Sequence, residues 1–434
     1  MTTVQHPLMQ QFLLPRYRIQ QVRELISFLE EQGTFRFPTL ANGLFSASVA
    51  SAEEFGYTGY HHVWVRDNVH IAHAHLVIGK PAIAARTAQT LLDWFQLQRP
   101  RFEAIINGQA DPQEPMLRPH IRFRGEAFAD SAEKWSHAQN DALGYFLWLY
   151  CRLIREGVLE WNTAAAEILP LFPRYWNAIR YWQDEDSGHW EETRKIEASS
   201  IGVAVAGLRA LREVLASQAS QQAHLIEPDL QSLVDELLVR GEGALQEILP
   251  SECVQSDPQL KRRYDSALLF LIYPTQVVEG DMAEQIASDV TGNLLGEYGI
   301  RRYLGDSYWC ADYKTALAPE ARTADFSDDL SSRDKLLKPG LEAQWCIFDP
   351  IVSIHYARRY QQTRDPRDLD RQIQHVHRAL GQVTGPDCPF GPFRCPESYY
   401  CEQGRYVPND VTPLLWTQAN LRLALHFLEA TAEV

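Results

Sequence analysis

The sequence predicts an all-α fold, and three observations support that prediction. Apolar residues recur every three or four positions in about twelve long segments, which is the spacing expected of helices that bury one face. Strand-like alternation is short and rare, which leaves room only for small hairpins in loops. The helical segments come in pairs separated by long polar loops, and this favours a closed ring of paired helices with its long loops at one mouth.

The predicted helices follow one another along the chain. They cover residues 17–32, 68–79, 81–98, 139–156, 163–183, 197–217, 228–249, 264–274, 281–295, 343–362, 367–382 and 412–431. Several boundaries are supported by chain breakers, since Gly33 and Gly79 follow helical runs and Pro81 stands in a first turn. In the same way, Pro413 is predicted to open the last helix.

The helical pattern has no linker that would divide the chain into separate domains. We therefore predict a single domain over residues 1–434, with residues 1–35 as an N-terminal helical lead-in. Residues 311–341, rich in Asp, Ser, Pro and Ala, form the longest irregular stretch. We interpret them as a surface insertion or lid, or as a partly disordered segment, and the sequence leaves open whether they cover a cleft.

The charge balance excludes several classes of partner. The formal charge is −15 and there is no run of Lys and Arg, so neither nucleic acid nor an anionic membrane is an expected partner. The N-terminus lacks a secretory signal pattern and no stretch reaches ~18 apolar residues, so we expect a cytoplasmic protein. Seven cysteines without CxxC spacing predict neither a disulfide framework nor a zinc site.

Four short stretches combine aromatic side chains with acidic or amide groups. They are residues 60–68, 135–144, 187–192 and 396–400, each at the end of a predicted helix. A sugar is polar at its edges and flat and apolar on its faces, so a site for it needs both kinds of group. Cleavage of a glycosidic bond also needs two carboxyl groups, and the four stretches together favour a glycoside hydrolase.

Two carboxyl groups are the candidate acid and base. Glu191 follows Trp190, and an indole face would strip water from the carboxyl and raise its pKa, as a general acid requires. Alternatively, Glu191 and Glu192 merely favour the dipole of the next helix. Glu397 is the candidate base that activates water, with Glu402 as its competitor; either could instead be a solvated loop carboxylate.

The first stretch offers groups that could hold sugar hydroxyls. Arg66 and Asp67 place a fork of donors beside acceptors, while Tyr60 and Trp64 offer faces for stacking. A buried structural ion pair between Arg66 and Asp67 is the alternative. The second stretch repeats the combination with Trp135, Gln139 and Asp141. Its two polar members could instead cap the helix that follows.

Other kinds of catalytic site find little support in the sequence. Five histidines are dense between residues 61 and 75, but neither an HExxH motif nor paired cysteines accompany them, so we expect no metal. They are interpreted as polar or core histidines. Neither a glycine-rich phosphate loop nor a GxSxG elbow is present.

Taken in order, these motifs resemble glycoside hydrolase family 15, the glucoamylase family. The resemblance is closer still to the N-terminal glucoamylase-like domain of the phosphorylase kinase α and β regulatory subunits, and it covers about residues 40–428. It is carried by VWVRDNV (63–69), WSHAQNDA (135–142), GHWEE (188–192), EASSIGVAVAGLRAL (197–211), RRYLGDSYW (301–309), EAQWCIFDP (342–350), PESYY (396–400) and NDVTPLLWTQANL (409–421).

The resemblance implies an (α/α)6 barrel, a toroid of six helix hairpins with the active site where the long loops meet. It also implies hydrolysis with inversion, without metal or organic cofactor, and an α-glucan or gluco-oligosaccharide substrate. Glu191 then takes the acid position and Glu397 the base position. The implied sugar-binding residues are Tyr60, Trp64, Arg66, Asp67, Trp135, Gln139, Asp141, Trp190, Glu192, Arg302 and Trp416.

Two functional hypotheses follow from different features of the resemblance. The doubled Glu191-Glu192 is the hydrolase form and favours an exo-acting enzyme that releases glucose from α-linked glucans or short oligosaccharides. The residues around the base, from Pro396 to Tyr399, read as in the kinase subunits and favour a catalytically silent, glucan-sensing or regulatory protein. A phosphorolytic enzyme with one working carboxylate is a third option, and the oligomeric state stays open.

Overall fold

The computed structural model describes residues 2–49, 58–218 and 229–433. Its α-helices are α1 (Ile19–Glu31), α2 (Val65–Val77), α3 (Pro81–Ile106), α4 (Asn140–Arg155), α5 (Thr163–Ile168), α6 (Leu171–Ile179), α7 (Ala198–Gln218), α8 (Leu230–Ile248), α9 (Leu269–Ile272), α10 (Gly280–Asn293), α11 (Tyr313–Ala316), α12 (Ser331–Asp334), α13 (Phe348–Thr363), α14 (Pro366–Gly381) and α15 (Leu415–Thr431). None of the helices in these ranges is long and apolar enough to cross a membrane.

Two small antiparallel sheets accompany the helices. The first contains β1 (Val63–Trp64), β2 (Arg122–Arg124) and β3 (Ala129–Asp130), in that order. The second contains β4 (Gln344–Trp345), β5 (Ser398–Glu402) and β6 (Arg405–Pro408), also in chain order. Strands β1 and β4 lead into helices α2 and α13, so each sheet fixes the entry to a long helix.

Six helices form a closed inner ring. Along the described chain, α2, α4, α7, α9, α13 and α15 each contact the next, and α15 contacts α2. A second layer covers the ring from outside, with α3 on α2, α6 beside α3 and α8, α8 on α7, α10 on α9, α14 on α13 and α1 on α15. This arrangement is an (α/α)6 barrel, which confirms the predicted all-α fold and its closed ring of paired helices.

The inner helices are buried on all sides, unlike the amphipathic outer ones. Every residue of α2 from Val65 to Leu76 is buried, although several are charged or polar. Helices α4 and α7 approach closely because both carry glycine at their contact. A Cβ atom on Gly144 would lie 2.6 Å from the carbonyl oxygen of Val203, and one on Gly207 would lie 3.0 Å from the carbonyl oxygen of Gly144.

Glycine and proline mark most helix ends as predicted, but not the start of the last helix. Pro81 opens α3, and Gly33 and Gly79 follow α1 and α2 with φ of 78° and 81°. The prediction that Pro413 opens the last helix is wrong, because α15 begins at Leu415. The N–H of Leu414 donates to the carbonyl of Cys395 at 2.9 Å, which keeps this residue in an extended bridge before the helix.

Four predicted helices differ in extent from the observed ones. The segment predicted over 81–98 continues to Ile106 in α3. The segment 163–183 divides at residue 170 into α5 and α6, and the segment 264–274 contains a short 3-10 turn over residues 266–268 followed by the single helical turn of α9. The segment 343–362 begins as strand β4 before α13 starts. In each case apolar residues continue across the boundary, so the burial pattern alone does not reveal the change of backbone conformation.

Candidate active site

A cavity of about 80 Å³ lies where the inner helices begin. It is lined by Ala47, Tyr60, Trp64, Arg66, Asp67, Trp135, His189, Trp190, Glu191, Arg302, Tyr308, Thr323, Ala324, Asp325, Phe326, Arg333, Trp345, Glu397, Leu414 and Trp416. Ten of the thirteen residues that the sequence singles out are therefore together on one cavity. The other three, Gln139, Asp141 and Glu192, are buried and do not line it.

Glu191 reaches the cavity from a tight turn rather than from a helix. It follows a short 3-10 turn over residues 188–190 and has φ of 58°. Its Oε1 accepts a hydrogen bond from Trp64 Nε1 at 3.0 Å and lies 3.5 Å from an Arg66 nitrogen. Its side chain is 20% exposed, and burial raises its pKa while Arg66 opposes the rise. Helix α7 begins only at Ala198, so Glu191 is outside the reach of that helix dipole.

Glu397 lies directly before β5 and is 2% exposed. Tyr60 donates its hydroxyl hydrogen to Oε1 at 2.8 Å, and Asn409 donates an amide hydrogen to Oε2 at 2.5 Å. Burial raises the pKa of Glu397 to about 7, against the effect of these two hydrogen bonds. Its competitor Glu402 lies at the far end of β5, accepts a hydrogen bond from Thr315 at 2.7 Å and does not line this cavity.

A pair of aromatic rings joins the two carboxyl groups. The ring centroids of Tyr60 and Trp64 are 5.2 Å apart. Tyr60 bonds to Glu397 and Trp64 bonds to Glu191. The two carboxyl groups are thus held at the two ends of one ring pair, with the cavity beside it.

Arg66 connects the floor of the cavity to the helix behind it. Its Nε donates to Asp141 at 2.6 Å, and one terminal nitrogen donates to Gln139 at 2.5 Å and to the carbonyl of Gly188 at 3.1 Å. Gln139 stands at the N-cap position of α4, but its side chain donates to the carbonyl of Ser136 and makes no capping bond to the helix. Gln139 and Asp141 therefore position Arg66 from behind.

Asp67 faces the cavity rather than its neighbour in the chain. The ion-pair partner of Arg66 is Asp141, so the alternative of an ion pair between Arg66 and Asp67 does not hold. Asp67 is 6% exposed and lines the cavity. Burial raises its pKa to about 7, with Arg66 opposing the rise. A carboxyl group in this position is an acceptor for the hydroxyl hydrogens of a ligand.

Glu192 lies behind the cavity wall, in a network of arginines. It accepts hydrogen bonds from Tyr303 at 2.6 Å, from Arg333 at 2.7 Å and from Arg302 at 3.0 Å. Burial alone would raise its pKa, but Arg302 and Arg333 hold the pKa well below its usual range. Glu192 thus positions two arginines that line the cavity and does not line it itself.

Aromatic rings form the remaining walls. Trp64 and Trp135 meet edge to face at 5.9 Å, and the guanidinium of Arg122 lies 4.0 Å from the Trp135 ring. Arg302 lies 5.1 Å from the Trp190 ring and 5.0 Å from the Trp345 ring. Flat rings and guanidinium planes of this kind bind the apolar faces of sugars while charged edges bind their hydroxyls.

The deep end of the cavity is closed by Trp416. It stacks on His70 with ring centroids 4.4 Å apart and on Phe270 at 5.2 Å. Histidines of α2 thus contact buried residues of the core. His70 stacks on Trp416, and His73 forms a hydrogen bond with the hydroxyl of Tyr273 at 2.9 Å. Within the described ranges, no group of three or more His, Cys, Asp or Glu is arranged to hold a metal ion.

Sequence reasoning missed several residues that line the cavity. Trp345 and Tyr308 stand inside two of the motifs quoted above, which was the available signal. Residues 323–326 and Arg333 belong to the irregular segment 311–341, where no periodicity or motif marks them. The structure thus places part of this segment over the cavity.

Known proteins resemble this chain in sequence and in fold. A family model described as "Glycosyl hydrolases family 15" matches residues 32–364. The "Probable phosphorylase b kinase regulatory subunit alpha" of Caenorhabditis elegans is 25% identical over 328 residues, which are 66% of this chain and 24% of that protein. The chain thus spans about a quarter of that relative's length.

Solved structures share the fold at low sequence identity. A variant glycosidase solved in complex with glucose matches with a TM-score of 0.63 and 16% identity over 94% of this chain and 97% of that one. "Glucoamylase from Saccharomycopsis fibuligera at atomic resolution" matches with a TM-score of 0.58 and 12% identity over 96% and 97% of the two chains.

Proposed function

The chain belongs to glycosyl hydrolases family 15, and from this membership we propose that it is an inverting, exo-acting glycoside hydrolase. It releases glucose from the non-reducing end of α-linked glucans or short α-gluco-oligosaccharides. One observation carries the proposal: Glu191 and Glu397 line the same cavity, at the two ends of the ring pair formed by Tyr60 and Trp64.

Glu191 is the general acid. Its Oε1 is occupied by the hydrogen bond from Trp64, so Oε2 is the oxygen that carries the proton. Burial raises the pKa of Glu191, which favours the protonated form that a general acid needs. As the bond from C1 to this oxygen breaks, the leaving sugar gains the proton and Glu191 becomes a carboxylate.

Glu397 is the general base. It accepts two hydrogen bonds from Tyr60 and Asn409, and these favour its ionised form. It takes one proton from a water molecule while the water oxygen bonds to C1 on the face opposite the leaving group. Inversion requires about 6.5–9.5 Å between the two carboxyl groups, so that such a water has room.

Glucose release tests this proposal directly. The protein is incubated with maltose, maltooligosaccharides, isomaltose and trehalose, and free glucose is followed by NMR. We expect glucose from at least one of these α-glucosides. The protein carrying both Glu191→Gln and Glu397→Gln is the control, and glucose released by it at the wild-type rate would refute the assignment.

The pH dependence of kcat/KM follows from Glu397. The base works only when ionised, and its pKa is about 7, so kcat/KM should fall about tenfold per pH unit on the acidic side of pH 7. Tyr60→Phe removes a hydrogen bond that lowers this pKa, so the acidic limb should move to higher pH. A limb that keeps its position in Tyr60→Phe would contradict the role given to this hydrogen bond.

Gly188→Ala should damage the turn that carries Glu191. Gly188 has φ of 51°, and a Cβ atom there would lie 1.6 Å from Glu197 Oε2. We expect a loss of about 1–2 kcal/mol in the free energy of unfolding and a fall in kcat of about 100-fold, because the acid is displaced. Thermal melts and glucose release measure both effects.

Gly243→Ala is the matched control for that variant. Gly243 lies inside α8, and an added Cβ atom would meet nothing within 4 Å. Its stability should rise by about 0.5–1 kcal/mol, as expected for alanine in a helix, with kcat unchanged. Equal kcat in the two variants would show that the turn at Gly188 does not position Glu191.

A second function is favoured by the match to a kinase regulatory subunit. In that case the same cavity binds a glucan without turnover and acts as a sensor. Calorimetry with maltooligosaccharides separates the two functions. Saturable binding without glucose release from any of the four α-glucosides would establish the sensor and exclude the hydrolase.

A further inference from the structure

Residues 322–334, called the strap here, cross the cavity and are tied to three of its walls. At one end, Arg322 pairs with the buried Asp410 at 3.2 Å, next to the Asn409 that bonds to the base. At the other end, Arg333 pairs with Glu192 at 2.7 Å, directly after the acid in the chain. The strap therefore reaches from the base to the acid.

A third tie holds the middle of the strap. Asp328 forms an ion pair with Lys134, the residue before Trp135 in the cavity wall. Ser307 adds two bonds near the far end, as it accepts from Arg333 Nε at 3.0 Å and donates to Asp334 at 2.6 Å. These ion pairs and hydrogen bonds fix the position of the strap over the cavity.

The strap forms the outer wall of the cavity. Arg66 and Asp67 are buried at the deep end, whereas Ala324 of the strap is exposed on its outer side. An exo-acting enzyme holds the terminal sugar at the deep end, so the leaving sugar points to the outer wall. Residues 323–326 are therefore placed where the leaving sugar lies.

The remaining space is small. With the strap in place the cavity measures about 80 Å³, far below the ~300–1,000 Å³ of pockets that enclose drug-sized ligands. A volume of this size leaves space for few sugar units beneath the strap. The geometry thus favours substrates that have few sugar units on the leaving side of the cleaved bond.

Asp325 has an unused acceptor in this wall. Its Oδ1 accepts a hydrogen bond from the N–H of Ser327 at 2.8 Å. Its Oδ2 is buried and has no hydrogen-bond partner in the described part of the chain. A buried acceptor left unsatisfied costs about 1–3 kcal/mol, so a ligand that supplies a donor gains affinity there. A sugar hydroxyl is such a donor.

We propose that Asp325 binds a hydroxyl of the leaving sugar and that the strap limits the enzyme to short α-glucosides, with disaccharides as the preferred class. This inference rests on the proposed function. It adds a specificity-determining residue on the leaving side and predicts that wild-type kcat/KM is higher for an α-linked disaccharide than for maltoheptaose.

The test compares substrates with and without a leaving sugar. In α-glucosyl fluoride the leaving group carries no hydroxyl, so the ratio of kcat/KM for maltose to kcat/KM for the fluoride isolates the leaving-sugar contact. Asp325→Ala should lower this ratio about 10- to 100-fold, as expected for loss of a hydrogen bond to a charged group. Glu320→Gln changes an exposed carboxylate just before the strap and should leave the ratio as in wild type.

Each outcome decides a separate point. A ratio in Asp325→Ala within twofold of wild type, or a wild-type preference for maltoheptaose, would overturn the inference. If Asp325→Ala does not fold, Asp325→Leu, which removes both acceptor oxygens and keeps a similar volume, is judged by the same ratio. If wild type turns over neither the fluoride nor any of the four α-glucosides, the proposed function fails instead, and calorimetry with maltose then decides whether Asp325→Ala weakens disaccharide binding.

Discussion

Glu191→Gln should lower kcat for maltose about 10²–10⁴-fold, the usual contribution of a general acid. The glutamine keeps an oxygen that accepts the hydrogen bond from Trp64, so the turn should stay in place while the proton is lost. Turnover of α-glucosyl fluoride should fall far less, because fluoride leaves without a proton from the enzyme. Steady-state kinetics with both substrates measure this difference.

Glu185→Gln is the control for that variant. Glu185 is an exposed carboxylate in the same loop, outside the cavity lining, and its change should leave both substrates unaffected. Equal losses for maltose and the fluoride in Glu191→Gln would show that this residue does not act as the acid.

Glu397→Gln should lower kcat for maltose and for the fluoride alike, each about 10²–10⁴-fold. The attacking water must lose a proton whichever group leaves, so a better leaving group does not compensate for the missing base. The hydrogen bonds from Tyr60 and Asn409 hold the side chain in place, and an amide oxygen still accepts one of them.

Glu402→Gln tests the competing assignment of the base. Glu402 bonds to Thr315 and does not line the cavity, so its kinetics should match those of wild type. A large loss in Glu402→Gln together with normal turnover in Glu397→Gln would reverse the assignment.

The ring of helices could be predicted from the sequence, because the spacing of apolar residues indicates which helix faces are buried. Continuous apolar runs with small residues, as in α4 and α7, mark inner helices, and Gly144 and Gly207 allow their close contact. The start of α15 could not be predicted, because it depends on a backbone hydrogen bond between Leu414 and Cys395, which lie far apart in the chain. Helix ends set by tertiary hydrogen bonds leave little local signal.

The two carboxyl groups could be predicted because aromatic residues stand beside them in the chain. Which other charged groups face a ligand could not be predicted, since sequence does not show where a side chain points. Glu192 and Asp141 look like binding residues, yet both lie behind the cavity wall and pair with arginines that line the cavity. Asp325 and Arg333 carry no local pattern, and their position depends on ion pairs with distant residues.

The configuration of the first product tests the central claim most directly. The claim is that Glu191 and Glu397 act from two sides of one glucose unit, so that water attacks the face opposite the leaving group. Proton NMR during the first minutes of α-glucosyl fluoride hydrolysis, which releases a single glucose, distinguishes the two anomers before they equilibrate. We expect β-glucose to appear first from the cleaved α-linkage. Initial formation of α-glucose would mean retention and would contradict the roles assigned to the two carboxyl groups.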